Sequence, residues 1–292
     1  MNEDKLKNND SIQKNTLSIF QIAVMTTICV ASLRTLPPMA EEGRASILMY
    51  IIPAILFLIP TSLVSAEFAT TYKGGIYVWI REAFGNRMGF VAIWLQWIQN
   101  VVWYPVQLAF VAAALAFTIN RGDLSNSGLF TAVVIIVVYW LSTFLAFKGG
   151  NLFAKVSSIG GMIGVLIPGA ILIILGLLWI AQGQPISESY LQSSYIPKIT
   201  GISSLVLIVS NVLSYAGMEM NAVHAGQMEN PKKDFTKAIA LAFILILCVF
   251  IFPTLAIAIA IPADKLGMAN GIMVAFQEFF EKFHISWMSN IM

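Results

Sequence analysis

The sequence predicts an all-α integral membrane protein. Of its 292 residues, 58% are hydrophobic and 11% are charged, and its mean hydropathy is +0.79. Soluble domains carry about a quarter charged residues. The apolar residues fall into seven runs, each close to the roughly 20 residues that a helix needs to cross a bilayer. These runs cover residues 17–39, 47–68, 90–117, 129–147, 157–181, 204–228 and 239–261.

The Lys and Arg residues between the runs predict an orientation. Of the 17, eleven fall in the N-terminal tail and in the second, fourth and sixth loops, five fall on the opposite side, and Arg34 lies within the first run. Because cytoplasmic loops carry the excess of positive charge, the N-terminus is predicted in the cytoplasm, with residues 1–16 as a tail. This tail lacks the apolar core of a signal peptide.

Charge and residue usage argue against several classes of function. A net charge of +2 with dispersed basic residues predicts no nucleic-acid partner. Cys29 and Cys248 lie in apolar runs, where cysteine behaves as a small hydrophobic residue, so neither a disulfide nor a metal site is expected. No grouping of Ser, His and a carboxylate falls at membrane depth, so the protein is not predicted to be an enzyme, and no cofactor is expected.

The first run is irregular near its C-terminal end. Arg34 lies just before Pro37 and Pro38, and proline within a helix removes a backbone donor and clashes with the preceding turn. Two interpretations are open. The helix either breaks or bends within residues 29–38, or the span ends at Leu33 and Arg34 snorkels to the interface.

The second to fifth runs carry weaker signals. Glu67 lies near the cytoplasmic end of the second run, and Gly74 and Gly75 permit a sharp reversal after it. The third run contains several amides, which predict a helix facing protein or water. Hydrogen bonds between helices explain these amides as well as a substrate does. The fourth run is featureless, and the small residues opening the fifth favour close helix packing.

Residues 204–238 carry the strongest functional signal. Gly217 and Glu219 lie within an apolar run, and an ionisable residue at membrane depth usually faces an interior or a water-filled cavity. Glycine at that depth allows backbone to leave the helix and meet a ligand. The sequence therefore predicts a second broken helix that lines a binding site. Pro231 and the lysines after it mark an exit on the cytoplasmic side.

The seventh run is a plain apolar span, and a different kind of segment follows it. Residues 271–283 are amphipathic, too short and too charged to cross the membrane, and are predicted to lie on the outer surface. Residues 285–292 turn apolar again, so another span is expected to start there.

Three motifs resemble the amino acid–polyamine–organocation transporter superfamily. They are AEFATTYKGGIYVWIREAFG, which ends at Gly85, the broken-helix sequence SYAGMEMNAVH, and the ENPKKDFTKA that follows it. The segment SLRTLPPMAEEG stands where the superfamily usually has Gly-Ser-Gly, and His224 lies five residues after Glu219. Both features resemble the glutamate/GABA antiporter branch of acid-tolerant bacteria.

The resemblance implies a LeuT-type inverted-repeat fold, incomplete, with about seven transmembrane helices of which the first and sixth are broken. Residues 17–181 would form the first five-helix repeat, and residues 182–203 an external loop. Residues 204–261 would open the second repeat, and residues 262–292 would be an external amphipathic segment followed by the start of a missing span. The chain is expected to be truncated.

The resemblance also implies a substrate site at the two breaks. The half-helix after each break would aim backbone donors at a substrate carboxylate, and unwound carbonyls would hold its amino group. The matching positions are Cys29, Val30, Ala31 and Ser32 at the first break, and Ser214, Tyr215, Ala216 and Gly217 at the second. Plain helix packing is the alternative interpretation.

Four residues are candidates for handling protons or charge: Glu219, His224, Arg34 and Lys155. Glu219 would exchange a proton during transport or, alternatively, brace the broken helix. His224 suits an acid-operated switch or, alternatively, a satisfied place within the bundle. Arg34 would pair with a substrate carboxylate or with Glu41 or Glu42. Lys155 lies about one turn from a lysine of some family members.

The predicted function is an antiporter of the cytoplasmic membrane that imports glutamate and exports GABA by alternating access. As the resemblance implies, this exchange would support acid resistance, because cytoplasmic decarboxylation consumes a proton. Another amino acid or amine pair is the first alternative and an inactive remnant is the second. A seven-helix receptor is disfavoured because its N-terminus would lie outside. The expected partners are small-molecule amino acids and the lipid bilayer, and no oligomeric state is predicted.

Overall fold

The computed structural model describes residues 17–72, 75–148, 156, 158–197, 201–267, 270–285 and 288. Over these residues the chain is helical and contains no strand. Within the described ranges, five helices are long and apolar enough to cross a membrane: Ala45–Thr71, Asn86–Thr118, Gly128–Phe147, Ser158–Ala181 and Pro231–Ala260. A sixth span is counted if Ile19–Val30 and Leu33–Ala40 form one broken span. The predicted all-α membrane fold is therefore confirmed.

We number the α-helices in chain order. They are α1 (Ile19–Val30), α2 (Leu36–Ala40), α3 (Ala45–Pro53), α4 (Ile59–Thr71), α5 (Gly75–Phe84), α6 (Asn86–Thr118), α7 (Gly128–Phe147), α8 (Ile167–Ala181), α9 (Glu188–Gln192), α10 (Ile202–Ser214), α11 (Pro231–Ala260) and α12 (Gly271–Lys282). In the part of the chain that the structure describes, four 3₁₀ segments connect them: Leu33–Thr35, Gly122–Asn126, Met220–Gln227 and Ala263–Lys265.

Two π-helical segments interrupt membrane spans, and each has a proline as its cause. Ala54–Leu58 joins α3 to α4, and Met162–Leu166 leads into α8. Pro60 and Pro168 follow at the start of the next α-helix. A proline lacks the N–H donor and its ring crowds the preceding turn, so the turn before it widens to the π form without ending the span.

The predicted sixth span, residues 204–228, is not a single helix. It begins as the apolar helix α10, leaves helical geometry after Ser214 and continues as the 3₁₀ segment Met220–Gln227. This break and the break in the first span together explain why the described residues contain five or six long spans where the hydropathy pattern predicts seven. Hydropathy measures the apolar length of a segment and is insensitive to a break within it.

The chain folds into two compact units. The first contains the residues up to Val30, Ala54–Gln96 and Tyr215–Ile246, and the second contains Ala31–Pro53, Trp97–Ser214 and the residues from Leu247 onward. In the first unit, α1, α4 and α5 pack against the 3₁₀ segment Met220–Gln227. The backbone N–H of Leu17 donates to the carbonyl of Gln227 at 3.0 Å, which fixes the start of α1 on the end of that segment.

The motif at residues 66–85 forms the connection between α4 and α5 in the first unit. The indole N–H of Trp79 donates to the carbonyl of Tyr72 at 3.1 Å, and the Trp79 ring contacts Phe68 edge to face at 5.4 Å. Gly75 has a φ of 72° and Gly85 a φ of 85°, values that favour glycine. Glu67 is exposed on α4, and Gly74 lies outside the described residues.

In the second unit, the core forms around α3, α8 and the second half of α11. Tyr50 is fully buried, stacks on Phe250 with ring centroids 5.4 Å apart and shares a hydrogen bond of 3.1 Å with Thr254. An aromatic ring with a satisfied hydroxyl can be buried at little cost. Gly176 of α8 lies against Ala256 of α11, where a Cβ on the glycine would be 2.4 Å from the Ala256 Cβ.

The amphipathic segment 271–283 packs on protein. It forms α12, and its apolar side chains Phe276, Phe279 and Phe280 are buried. Phe279 contacts Trp179 edge to face at 5.6 Å, and α12 as a whole contacts α2. Protein of the same unit thus covers this apolar face, and the external position of the segment stays a prediction.

A cavity of about 760 Å³ lies within the second unit among α6, α8 and α12. Apolar side chains form most of its wall, including Phe110, Ile171 and Phe276. It is lined by none of the residues predicted to bind substrate or handle charge.

Arg44 fastens the connection between α8 and α10 to the turn before α3, within the second unit. Its guanidinium lies over the rings of Tyr190 and Tyr195, 5.2 and 5.3 Å from their centroids. Its backbone N–H donates to the Ser193 hydroxyl at 2.9 Å. Gly43, with a φ of 57°, permits this approach, because a Cβ there would lie 2.4 Å from the Ser193 oxygen.

We expect Arg44→Gln to release residues 188–197 and to increase their cleavage by protease in detergent. Each cation–π contact is worth about 0.5–2 kcal/mol, and glutamine retains length but removes the charge. Arg121→Gln is the matched control, because the Arg121 guanidinium pairs with the exposed Asp123 two residues away. Equal cleavage of both variants and the parent would contradict the role assigned to Arg44.

Candidate functional site

The first break lies between α1 and the 3₁₀ segment Leu33–Thr35. Helix α1 ends at Val30, Ala31 and Ser32 are non-helical, and Ser32 is extended with φ −133° and ψ 121°. The Thr35 hydroxyl donates to the Ser32 carbonyl at 2.8 Å, and helical geometry then resumes through α2 to Ala40. Of the two interpretations of this segment, the broken helix is confirmed.

The second break follows α10 at Ser214. Its hydroxyl donates to the carbonyl of Ser210 at 2.9 Å, and residues 215–219 then form turns. Gly217 has a φ of 120°, a backbone conformation that residues with a side chain rarely adopt. The glycine is therefore the residue that allows the chain to leave the helix here.

The end of α1 and the turn at Gly217 meet inside the first unit. A Cβ at Gly217 would lie 3.4 Å from Val30 Cγ2 and 3.7 Å from the carbonyl oxygen of Cys29. Val30 and Tyr215 are buried, Ala216 is half-buried and Cys29 is exposed. Backbone of one broken segment thus lies against backbone of the other. Ala31, Ser32 and Ser214 belong to the second unit, where Ala31 is buried and both serines are half-buried.

Asn221 connects the two broken segments, and this contact was not predicted from the sequence. Its side chain is 5% exposed, and its Nδ2 donates to the Thr26 hydroxyl at 3.2 Å. The same Nδ2 lies 3.7 Å from the Cys29 sulfur. An amide two residues after Glu219 was the available signal, but the partner of an amide cannot be read from its own segment.

Glu219 and His224 flank Asn221 along the chain and are both half-buried. Glu219 precedes the 3₁₀ segment, and its carbonyl accepts from the Ala222 N–H at 3.0 Å. Nδ1 of His224 lies 3.2 Å from Oε1 of Gln227. Because the amide oxygen can only accept, the imidazole donates from Nδ1 in this contact.

Arg34 lies in the second unit, half-buried in the 3₁₀ segment after the first break. Its Nε has no hydrogen-bond partner among the described residues, and none of the ion pairs found there joins it to Glu41 or Glu42. Desolvation raises the pKa of both carboxyl groups, and the charge of Glu42 adds to this effect at Glu41. Lys155 lies outside the described residues.

The structure shows no group of three or more His, Cys, Asp or Glu residues able to hold a metal ion, within the part of the chain that it describes. What it brings together is backbone from two discontinuous helices. Membrane proteins place such unwound backbone where it lines a cavity or meets a substrate. The fold and this geometry define a class, the multi-pass membrane proteins with broken helices.

Residues 15–292 match the amino acid permease family, and the chain belongs to this family. It is 41% identical over 280 residues to an uncharacterized transporter of Legionella pneumophila, covering 95% of this chain and 60% of that protein. It is 28% identical over 285 residues to a glutamate/gamma-aminobutyrate antiporter of Lactococcus lactis subsp. cremoris, covering 96% and 57%. Identity is also 28%, over 270 residues, to a probable agmatine/putrescine antiporter of Lactococcus lactis subsp. lactis, covering 90% and 56%.

The chain thus spans about 60% of the length of the curated relatives it matches. The family assignment and the membrane-spanning helices together make it a multi-pass protein of a cell membrane, related to carriers of small molecules.

Proposed function

We propose that the protein acts as an amino acid antiporter of the cytoplasmic membrane, exchanging external glutamate for internal GABA by alternating access. The observation that carries this proposal is the contact of Gly217 with Val30 and the Cys29 carbonyl, since it places the backbone of two broken helices side by side. Such paired breaks hold zwitterionic substrates in transporters. The choice of pair is supported by the relatives named as glutamate/gamma-aminobutyrate antiporters.

The proposed substrate contacts follow the breaks. Five of them belong to the first unit: Cys29, Val30, Tyr215, Ala216 and Gly217. Backbone N–H groups after a break would bind the carboxylate, and free carbonyls would bind the amino group. Ala31, Ser32 and Ser214 are added on the motif match alone.

The proposed proton and charge handling rests on Glu219, His224, Arg34 and Lys155. Glu219 directly precedes the 3₁₀ segment that follows the second break, and His224 lies within that segment. A proton taken up by either residue would change the charge beside the proposed substrate. The N-terminus is proposed to be cytoplasmic on the loop charges. On this proposal the exchange supports acid resistance, because the decarboxylation that converts glutamate to GABA consumes a proton.

Exchange of an amine pair is the second candidate, because one relative is named a probable agmatine/putrescine antiporter. Uptake of labelled glutamate into proteoliposomes that contain the protein and are loaded with GABA separates the two. Glutamate–GABA exchange that agmatine, putrescine, aromatic and basic amino acids do not inhibit supports the first proposal. Exchange of agmatine for putrescine alone replaces it with the second, and the absence of any exchange favours an inactive remnant.

We expect Glu219→Gln to lower the turnover of exchange more than the affinity for substrate. The amide keeps the shape of the carboxyl group but cannot exchange a proton, so the dependence of the rate on pH should also weaken. Glu229→Gln is the control, since Glu229 is exposed beyond the same segment. Rates equal to those of the parent protein from acidic to neutral pH would show that Glu219 only braces the helix.

A further inference from the structure

The side chain of Asn221 is buried, and its partners lie on another segment. Nδ2 reaches Thr26 Oγ1 at 3.2 Å and Cys29 Sγ at 3.7 Å. Thr26 and Cys29 are three residues apart, so they lie on one face of the last turn of α1. The amide of Asn221 therefore spans the turn that ends at the first break.

The neighbouring Thr27 shows that this contact is specific. Thr26 and Thr27 are both fully buried, but the Thr27 hydroxyl donates to the Ala23 carbonyl of its own helix at 2.8 Å. Thr26 instead accepts from Asn221, in a different segment. Adjacent buried threonines thus provide one bond within the helix and one between the two broken segments.

A buried amide must have its hydrogen bonds satisfied, and leaving either partner unpaired costs more than the bond itself contributes. Cys29, the second partner of Asn221, directly precedes Val30, and Val30 is the residue that lies next to Gly217. Any shift of the 3₁₀ segment along α1 would break the Asn221–Thr26 bond and move Gly217 away from the Cys29 carbonyl. The amide therefore fixes the register of the two backbones.

We infer that Asn221 is a positioning residue that holds the two broken helices of the first unit in register, so that their backbone groups present one substrate site. This inference rests on the proposed function and deepens it. Asn221 does not titrate, so its role is separate from proton handling: its loss weakens substrate binding and leaves the pH profile unshifted.

The test begins with Asn221→Ala and Thr26→Val in proteoliposomes. We expect each to raise KM for exchange about tenfold, the effect of one lost hydrogen bond with an unpaired buried partner, and to change kcat less than twofold. Thr26→Ser keeps the hydroxyl and should restore KM. The double variant should be no worse than either single variant, because both remove the same bond. Thr27→Val is the control and should combine additively with Asn221→Ala.

A second measurement does not depend on transport. Cys248→Ala leaves Cys29 as the only thiol of the chain, and its labelling by a maleimide then reports the end of α1. In this background Asn221→Ala should change the labelling rate about fivefold or more, because it removes a contact of the exposed thiol, and Thr27→Val should not. If Asn221→Ala changes the labelling rate but the parent protein exchanges no substrate, the positioning role of Asn221 stands and the proposed transport function is wrong.

Additive effects of Asn221→Ala and Thr26→Val, or a shifted pH profile in Asn221→Ala, would overturn the inference. Unchanged labelling of Cys29 in Asn221→Ala would overturn it as well.

Discussion

Replacing Gly217 with valine is expected to abolish exchange while leaving a folded protein. The residue has a φ of 120°, and a Cβ would lie 3.4 Å from Val30 Cγ2. A side chain there forces the turn into another conformation at a cost of about 1–3 kcal/mol and pushes α1 away. The two broken segments would lose their contact, so substrate binding should fail before global stability does.

The measurement pairs exchange with thermal unfolding in detergent. Gly226→Val is the matched control, because Gly226 lies in the 3₁₀ segment after the same break and a Cβ there would meet open space. Gly217→Ala should show an intermediate loss, since its methyl group is strained by the same φ but reaches Val30 less. If Gly217→Val exchanges substrate at the rate of the parent protein, the second break is not the substrate site.

Replacing Gly176 with leucine is expected to destabilise the second unit. A Cβ at this position would lie 2.4 Å from the Ala256 Cβ and 3.0 Å from its Cα, closer than packed atoms can approach. Helices α8 and α11 would have to separate, and overpacking of this kind costs about 1–3 kcal/mol. Close approach at small residues is the usual source of packing energy between membrane helices.

Unfolding temperature and the yield of monodisperse protein measure this effect. Gly164→Leu is the control, because Gly164 precedes the same helix and a Cβ there meets open space. Gly176→Ala combined with Ala256→Gly should recover most of the stability that Gly176→Ala alone loses, since the second change removes the clashing methyl group. Failure of this rescue would show that the two helices do not meet at these residues.

The broken helices could be predicted from sequence because each break has a local cause. Pro37 and Pro38 remove donors after the first break, and Gly217 provides the unusual φ at the second. The motif at residues 66–85 was likewise readable, and Gly75 and Gly85 have the positive φ values that turn glycines adopt. The 3₁₀ geometry of Met220–Gln227 was not predicted, because hydropathy does not distinguish it from an α-helix.

The contacts of single side chains could not be predicted from the sequence. Arg44 meets Tyr190 and Tyr195 far along the chain, and Asn221 meets Thr26 across most of it. The amphipathic pattern of α12 identified its apolar face correctly, but the same pattern fits a helix lying on lipid and one packed on Trp179.

The amino-acid sequence is sufficient to define this protein as a bundle of membrane helices, two of them broken, within the amino acid permease family. Apolar length, proline and glycine act on the chain within a few residues, so they leave a pattern that can be read in order. Three-dimensional packing was needed to show that the end of α1 meets the turn at Gly217 and that Asn221 hydrogen-bonds to Thr26 of α1. Those contacts join segments about two hundred residues apart, and their energy depends on packing in space, which has no signature along the chain.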